Sequence, residues 1–126
     1  MKYGLYLPNF GDYFNVRFTA SLANEAEQNG WNGFFIWDHL THPNYVDMPF
    51  SDPWILMTAI ALTTKTIRFG ALVTPIARRR PWILAKETVT LDHLSEGRIT
   101  FGAGLGTHDL EFLNFERIGA KTSSRE

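Results

Sequence analysis

The sequence has no cysteine among its 126 residues. Disulfide frameworks and thiolate metal sites are therefore excluded, and we predict a reducing, cytoplasmic location. Long apolar runs are missing as well, since none approaches the roughly 18–20 residues that a membrane-spanning helix needs. Residues 1–20 lack the basic and apolar regions of a cleaved signal peptide. We therefore predict neither secretion nor a membrane partner.

An excess of charge of either sign is also absent. Twelve lysine and arginine residues face thirteen acidic ones, which leaves a formal net charge of -1 and no basic footprint for nucleic acid. The one basic run, Arg78-Arg79-Arg80, is interpreted as a solvated loop, with contact to a phosphate group as the alternative. His42 and His108 are interpreted as surface residues. The histidines lack the spacing of a zinc motif, so we predict no metal site.

Four short apolar runs are rich in β-branched or aromatic residues, and each is too short for a helix. Their starts recur about every 30–34 residues, a spacing typical of one βα unit. We predict strands near residues 3–8, 33–37, 67–74 and 99–105, carried by the runs YGLYL, GFFIW, IRFGALVT and ITFGAGL.

Helical patterns fill the gaps between these strands. Gly30 suits the position just after a helix, and Asp52 followed by Pro53 suits a helix start, because a capping side chain precedes proline in the first turn. The helices are predicted over Val16–Asn29, over Trp54–Thr64, from Pro81 until Gly97 stops it, and from near Leu110–Phe115.

The alternation of strands and helices predicts an α/β fold with a parallel sheet and right-handed crossovers. Two architectures remain open at this point: a doubly wound sheet, or part of a (β/α)8 barrel. A full barrel typically needs about 250 residues, and this chain has about half of that length and four predicted strands. We treat residues 1–126 as one structural unit.

Ligands bind at the carboxyl ends of the strands in both architectures. The residues that follow the predicted strands are therefore the candidates for a site. Asn9 is either a turn residue or a pocket residue, and His39 is either a polar turn residue or a reactive group. Asp38 could cap the following segment or hold His39 by a hydrogen bond. Thr74 follows the third strand.

The run Gly102-Ala103-Gly104-Leu105-Gly106 lies at the fourth strand. It is a poor dinucleotide fingerprint, because that motif belongs at the first strand-to-helix turn and Thr107 stands where its last glycine should be. The alternative is that small residues let a flat ring approach the backbone closely.

Three stretches give the chain a family resemblance: YGLYLPNF, GFFIWDH, and IRFGALVTPIARRRPWILAKETVTLDHLSEGRITFGAGLG. Together they resemble the luciferase-like monooxygenase superfamily, and the likeness runs from Lys2 to Arg117. The resemblance implies the second architecture, so we expect the N-terminal half of a (β/α)8 TIM barrel with four parallel strands. It also implies FMN or coenzyme F-420 as cofactor and a small organic molecule as substrate.

The resemblance implies roles for particular residues. His39 and Asp38 are the expected catalytic residues, with His39 as the group that hydrogen bonds or transfers a proton. A non-prolyl cis peptide at Ala71–Leu72 would back the central ring of the cofactor. The expected cofactor-binding residues are Asn9, Ala71, Leu72, Thr74, Gly102, Gly104 and Gly106.

One departure from the family pattern bears on the substrate. Some deazaflavin dehydrogenases of this family place a glutamate directly after the strand-four glycines, where this chain has Thr107 and His108. Asp109 and Glu111 follow slightly later, which puts a sugar-phosphate dehydrogenase in doubt.

Two functions remain open. The preferred one is hydride transfer or monooxygenation on a small organic substrate. The alternative is a non-catalytic half-barrel that serves as an assembly module, since unpaired sheet edges favour association. In either case we expect self-association, as a homodimer or higher, and two chains could meet edge to edge to close one barrel.

Overall fold

The computed structural model describes residues 1–106 and Glu111, and it alternates strands with helices. Two short 3-10 helices, Gly11–Phe14 and Ile76–Arg78, lie at the ends of loops. The strands are β1 (Gly4–Leu7), β2 (Gly33–Ile36), β3 (Arg68–Ala71), β4 (Thr74–Pro75) and β5 (Ala103–Gly104), and the helices are α1 (Val16–Gln28), α2 (Pro53–Thr63) and α3 (Pro81–Leu94). No helix in this part of the chain is long and apolar enough to cross a membrane.

The main sheet has the order β1-β2-β3, and both pairings are parallel. A second parallel pair joins β4 to β5, and a parallel bridge links Phe69 of β3 to Ile99. Strands that are neighbours in sequence are thus neighbours in the sheet, as expected for successive βα units. The predicted α/β fold with parallel strands is confirmed.

The third and fourth predicted strands differ from the observed ones. The third is interrupted by a cis peptide at Leu72–Val73, so the predicted position Ala71–Leu72 is wrong by one bond. Ala71 still pairs with Ile36, and the Leu72 amide donates to the Ile36 carbonyl, so the chain leaves the sheet only after Leu72. Of the predicted fourth strand, only β5 and the bridge at Ile99 are observed. The helix predicted near Leu110–Phe115 lies outside the described residues, apart from Glu111.

Local capping explains where the helices begin. The Asn15 side chain accepts from the Phe18 amide at the start of α1, and Asp52 accepts from the Trp54 and Ile55 amides at the start of α2. These bonds satisfy amides that have no partner within the helix. The end of α3 precedes Gly97, which has a positive φ of 78°.

The hydrophobic core lies between one face of the sheet and the helices. Phe34, Ile36 and Phe69 point into it from the strands and are fully buried, and Ala23 of α1 and Ile60 of α2 cover them. Side chains alternate along a strand, so the other face carries a different set. That face would be the interior of a barrel, and Tyr6 on it is 53% exposed.

A carboxylate on α1 fastens the loop that leads into β3. Glu27 accepts hydrogen bonds from the backbone amides of Lys65, Thr66 and Ile67 and from the Thr66 hydroxyl, at 2.6–3.1 Å. Burial alone would raise the pKa of the Glu27 carboxyl. The hydrogen bonds outweigh it, and the pKa lies below its ordinary value of 4.5.

We predict that Glu27 gives the fold acid sensitivity. A lowered folded pKa contributes stability above the unfolded pKa, and this contribution is lost as pH falls through the folded value. Glu27→Gln should cost about 1 kcal/mol of unfolding free energy at pH 7 and flatten its dependence on pH below 4.5. Urea unfolding at several pH values measures both. The matched change Glu25→Gln, on the exposed side of α1, should leave the pH dependence unchanged.

Candidate active site

A cavity of about 260 Å³ lies at the carboxyl ends of the strands. Its walls combine aromatic and aliphatic side chains with a cluster of acidic and basic side chains. The lining residues are Tyr6, Trp37, Asp38, His39, Leu72, Val73, Pro75, Arg78, Gly106 and Glu111. They come from the ends of β1, β2 and β3, from the segments around β4 and β5, and from Glu111.

Glu111 anchors the loop after β2. Its Oε1 lies 3.1 Å from His39 Nδ1 and accepts from the amides of Leu40 at 2.7 Å and Thr41 at 3.3 Å. The Glu111 side chain is 1% exposed, and that of His39 is 17% exposed. A buried carboxyl oxygen that contacts two backbone amides and the Nδ1 atom of His39 fixes the direction of the imidazole ring.

Two arginine side chains lie beside the buried carboxyl groups of Asp38 and Glu111. Arg79 donates to Asp38 Oδ2 at 2.8 Å, and Arg78 donates to the Asp38 carbonyl at 2.7 Å. Arg78 also lies 3.5 Å from Glu111 Oε2. Burial raises the pKa of the Asp38 carboxyl, and the charges of Arg79 and Arg78 offset part of that rise.

This arrangement corrects our interpretation of the basic run. Arg78 and Arg79 are not in a solvated loop, since their side chains are 7% and 20% exposed. They turn inward because buried carboxylates would be costly without a positive partner. Arg80 alone is exposed, and it lies over the Trp82 ring.

Several buried polar atoms of the cavity residues have no hydrogen-bond partner among the described residues. Trp37 Nε1 and Arg78 Nε have none, whereas Asp38 Oδ1 and Glu111 Oε2 have the Arg78 guanidinium as an ion-pair partner, at 3.6 Å and 3.5 Å. Buried polar groups are almost always hydrogen bonded, so such a group calls for an explanation. The two unpartnered donors belong to residues that line the cavity.

An aromatic cluster continues from the cavity into the loop after β2. Trp37 lies 5.9 Å from Tyr6 and 5.7 Å from Phe10, measured between ring centroids. His42 is half-buried and lies 5.7 Å from His39 and 5.0 Å from Tyr45. His42 packs against these aromatic rings and remains partly exposed, so its interpretation as a surface residue stays a prediction. His108 lies outside the described residues.

Asn9 is fully buried beside this loop and does not line the cavity. Its Nδ2 donates to the carbonyls of His39 at 2.9 Å and Ser51 at 2.8 Å, and its Oδ1 accepts from the His39 amide at 3.3 Å. The side-chain amide of Asn9 thus connects the end of β1 to His39 and Ser51, which lie at the two ends of the loop after β2. Its contact with a cofactor stays a prediction.

Asn9→Ala is expected to cost about 2 kcal/mol, because it leaves buried backbone carbonyls without donors. Chemical denaturation measures this loss. Asn32→Ala serves as the control: Asn32 accepts one bond from the exposed Tyr3 amide and should cost less than about 1 kcal/mol. Equal losses for the two variants would contradict the role of Asn9.

The other predicted residues separate into two groups. Leu72 and Gly106 line the cavity together with His39 and Asp38. Ala71 belongs to the hydrophobic core, and Thr74 is buried in β4, where its amide donates to the Gly102 carbonyl. Contact of Ala71 and Thr74 with a cofactor stays a prediction.

Gly102 and Gly104 pack against the bulge that contains the cis peptide. A Cβ at Gly102 would lie 2.7 Å from the Ala71 carbonyl oxygen, and one at Gly104 would lie 2.3 Å from a Val73 methyl carbon. Small residues at these positions therefore let β5 approach the bulge. Close approach of a ring to the same glycines stays a prediction.

Sequence reasoning missed six cavity residues: Tyr6, Trp37, Val73, Pro75, Arg78 and Glu111. Tyr6 and Trp37 could have been found, since alternation along the strands places them on the face opposite the core. Arg78 and Glu111 gave only a weak signal, because a basic and an acidic residue so far apart in sequence show no pattern.

The chain matches the luciferase-like monooxygenase family over residues 1–125. It belongs to this family. Limonene 1,2-monooxygenase from Rhodococcus erythropolis is 30% identical over 115 residues, which cover 90% of this chain and 29% of that protein. The coenzyme F420-dependent tetrahydromethanopterin reductase of Methanopyrus kandleri is 28% identical with a TM-score of 0.74, and the match covers 91% of this chain and 30% of that one.

Another solved structure shows the likeness of fold alone. The FMN complex of the oxygenating constituent of 3,6-diketocamphane monooxygenase from Pseudomonas putida has a TM-score of 0.77 at 24% identity. The match covers 90% of this chain and 32% of that one. The chain thus spans about a third of the length of these relatives, and its fold corresponds to part of the TIM-barrel enzymes of the family.

Proposed function

We propose that the cavity is part of the active site of a flavin- or deazaflavin-dependent oxidoreductase that acts on a small organic substrate. The observation that carries the proposal is the largely buried His39–Glu111 pair in the wall of a cavity at the carboxyl ends of the strands. Family membership supports the redox chemistry, because relatives are named for FMN and coenzyme F420.

The residues present fit one side of a flat heterocycle. Tyr6, Trp37 and Leu72 offer an apolar wall, and Trp37 Nε1 and Arg78 Nε are buried donors without partners in the described part of the chain. Such a mixture suits a ring with an apolar body and a polar edge. The volume of about 260 Å³ lies below the range of roughly 300–1,000 Å³ for small-molecule pockets. These residues therefore supply only part of the site.

When bound, FMN or coenzyme F-420 would supply the hydride chemistry. The chain's own residues manage protons and orientation. Glu111 holds His39 Nδ1 and so fixes the orientation of the imidazole ring in the cavity wall, where the ring can act in proton transfer. Asp38 acts indirectly: paired with Arg79, it fixes the start of the loop that presents His39.

Binding can be tested by tryptophan fluorescence, since Trp37 lines the cavity. Titration with FMN and with coenzyme F-420 should give saturable quenching for at least one of them. Trp37→Phe should remove most of the quenching. The control Trp82→Phe, at a side chain 62% exposed on α3, should leave it nearly unchanged. Linear quenching by both cofactors, or equal effects of the two variants, would count against the proposal.

A further inference from the structure

Two hydrogen-bond donors in the wall of the candidate active site are not used by the described residues. Trp37 Nε1 and Arg78 Nε are both buried, and neither has a hydrogen-bond partner in this part of the chain. Both side chains line the cavity at the carboxyl ends of the strands. Buried donors without acceptors are rare because they destabilise a fold, so two of them in one wall call for an explanation.

The residues that carry these two donors are held in place. The Trp37 amide donates to the Leu7 carbonyl at 2.9 Å, and the indole ring packs edge-on against Phe10 with 5.7 Å between the ring centroids. Arg78 Nη2 donates at 2.7 Å to the carbonyl of Asp38, the residue next to Trp37. The guanidinium is thus fixed beside the segment that carries the indole ring. Donors that are ordered in advance bind an acceptor with little further cost in entropy.

The chemistry of the two groups defines what they can bind. The indole nitrogen of tryptophan and the guanidinium nitrogens of arginine donate hydrogen bonds and accept none, so a ligand must bring the acceptor. The Tyr6 hydroxyl also lines the cavity, but it already donates to the Leu72 carbonyl. A carbonyl oxygen has two lone pairs and no hydrogen of its own, so it can accept from both donors at once.

The charges around the cavity favour a neutral ligand. Arg79 lies 2.8 Å from one carboxyl oxygen of Asp38, and Arg78 lies 3.6 Å from the other. Arg78 also lies 3.5 Å from Glu111 Oε2, so two acidic side chains stand against two basic ones. A carboxylate or phosphate would find no excess of positive charge among these groups, and it would lose its hydration on entering. A neutral carbonyl group loses much less on burial.

We propose that Trp37 and Arg78 form a two-donor subsite that binds the carbonyl oxygen of a neutral organic molecule and discriminates against carboxylates and phosphates. The subsite belongs to the proposed active site and therefore rests on the proposed function. The His39 ring lies 5.6 Å from the Trp37 ring, measured between centroids, which brings the subsite close to the candidate acid or base. The carbonyl group belongs either to the substrate or to the ring system of the cofactor.

Cyclohexanone, isotope-labelled at its carbonyl carbon, is the probe that tests the subsite in the full chain. Carbon NMR titration gives its Kd and the bound carbonyl shift, which moves downfield when the oxygen accepts hydrogen bonds. Trp37→Phe and Arg78→Lys each remove one donor and keep the aromatic ring or the positive charge. Each should weaken binding about 3- to 10-fold and reduce the downfield shift. Cyclohexanecarboxylate should bind the parent chain at least about tenfold more weakly than cyclohexanone.

Arg80→Lys and Trp82→Phe are the matched controls for these two substitutions. Both side chains are exposed, and Arg80 lies over the Trp82 ring outside the cavity. The controls should leave the affinity for cyclohexanone and its bound carbonyl shift unchanged. Circular dichroism verifies that all four variants are folded.

Titration with FMN and with coenzyme F-420, followed by the fluorescence of the cofactor, identifies the source of the carbonyl group. If a cofactor carbonyl occupies the subsite, Trp37→Phe and Arg78→Lys should weaken cofactor binding by the same factor and leave cyclohexanone binding unchanged. Saturable cofactor binding, with neither ligand affected in the folded variants, would overturn the subsite and leave the proposed function standing. Equal affinities for cyclohexanone and cyclohexanecarboxylate would also overturn it. Donor-dependent binding of cyclohexanone without binding of either cofactor would support the subsite and contradict the proposed function.

Discussion

His39→Ala is expected to lower kcat by roughly 100- to 10,000-fold, the usual contribution of a positioned acid or base. The reason is geometric as well as chemical. Glu111 and the loop after β2 hold the imidazole ring in one direction at the cavity, and alanine leaves no group to exchange the proton. Steady-state turnover with the cofactor that quenches Trp37 fluorescence measures the effect. Cofactor affinity should change much less than kcat.

His93→Ala is the matched control for this prediction. His93 is exposed in the last turn of α3 and does not line the cavity. Turnover by this variant should stay within about twofold of the parent, since surface substitutions rarely perturb a site. Unchanged turnover in His39→Ala would remove His39 from the chemistry, although the fluorescence test of cofactor binding could still succeed.

Arg98→Ala is expected to lower the free energy of unfolding by roughly 3–4 kcal/mol. The guanidinium lies beneath the C-terminal ends of α2 and α3. It donates to the carbonyls of Ala61, Ser95, Thr64 and Ile67 and to the Thr64 hydroxyl, at 2.7–3.3 Å. Without the Arg98 side chain, carbonyls at the ends of α2 and α3 and just before β3 therefore lose a hydrogen-bond donor. Domains are stable by only about 5–15 kcal/mol, so this loss is large.

Urea denaturation followed by circular dichroism provides the measurement. Arg68→Ala is the control, because Arg68 is exposed and its side chain donates, among the described residues, only to the Thr100 hydroxyl and the Ile99 carbonyl. It should cost less than about 1 kcal/mol. Arg98→Lys should fall between the two, since an ammonium group cannot reach the partners of a planar guanidinium. A midpoint for Arg98→Ala that matches Arg68→Ala would contradict this assignment.

The sequence predicted the helices and the first two strands well, because their signals are local. Asp52 and Pro53 mark the start of α2, and the periodicity of apolar residues marks α1. The third strand was predicted as continuous because hydrophobicity does not report the cis peptide between Leu72 and Val73. The fourth was predicted too long because its apolar residues do not show which of them pair with another strand.

The candidate site was predicted in part for a similar reason. The rule that ligands bind at strand ends identified Asp38 and His39, and the structure places both at the cavity. It could not identify their partners. Arg79 is 41 residues from Asp38, and Glu111 is 72 residues from His39, so only the fold shows that these charges meet. Because those pairings are not visible in the sequence, the run Arg78-Arg79-Arg80 was predicted to be a solvated loop.

The sequential order β1-β2-β3 has a consequence for synthesis on the ribosome. Each strand pairs with one that emerged about 30 residues before it, so the sheet and its helical cover can assemble while the chain is still growing. His39 is translated early, but its carboxylate partner is residue 111. In a nascent chain the hydrophobic core would therefore form first, and the His39 side chain would be oriented only after Glu111 has been added.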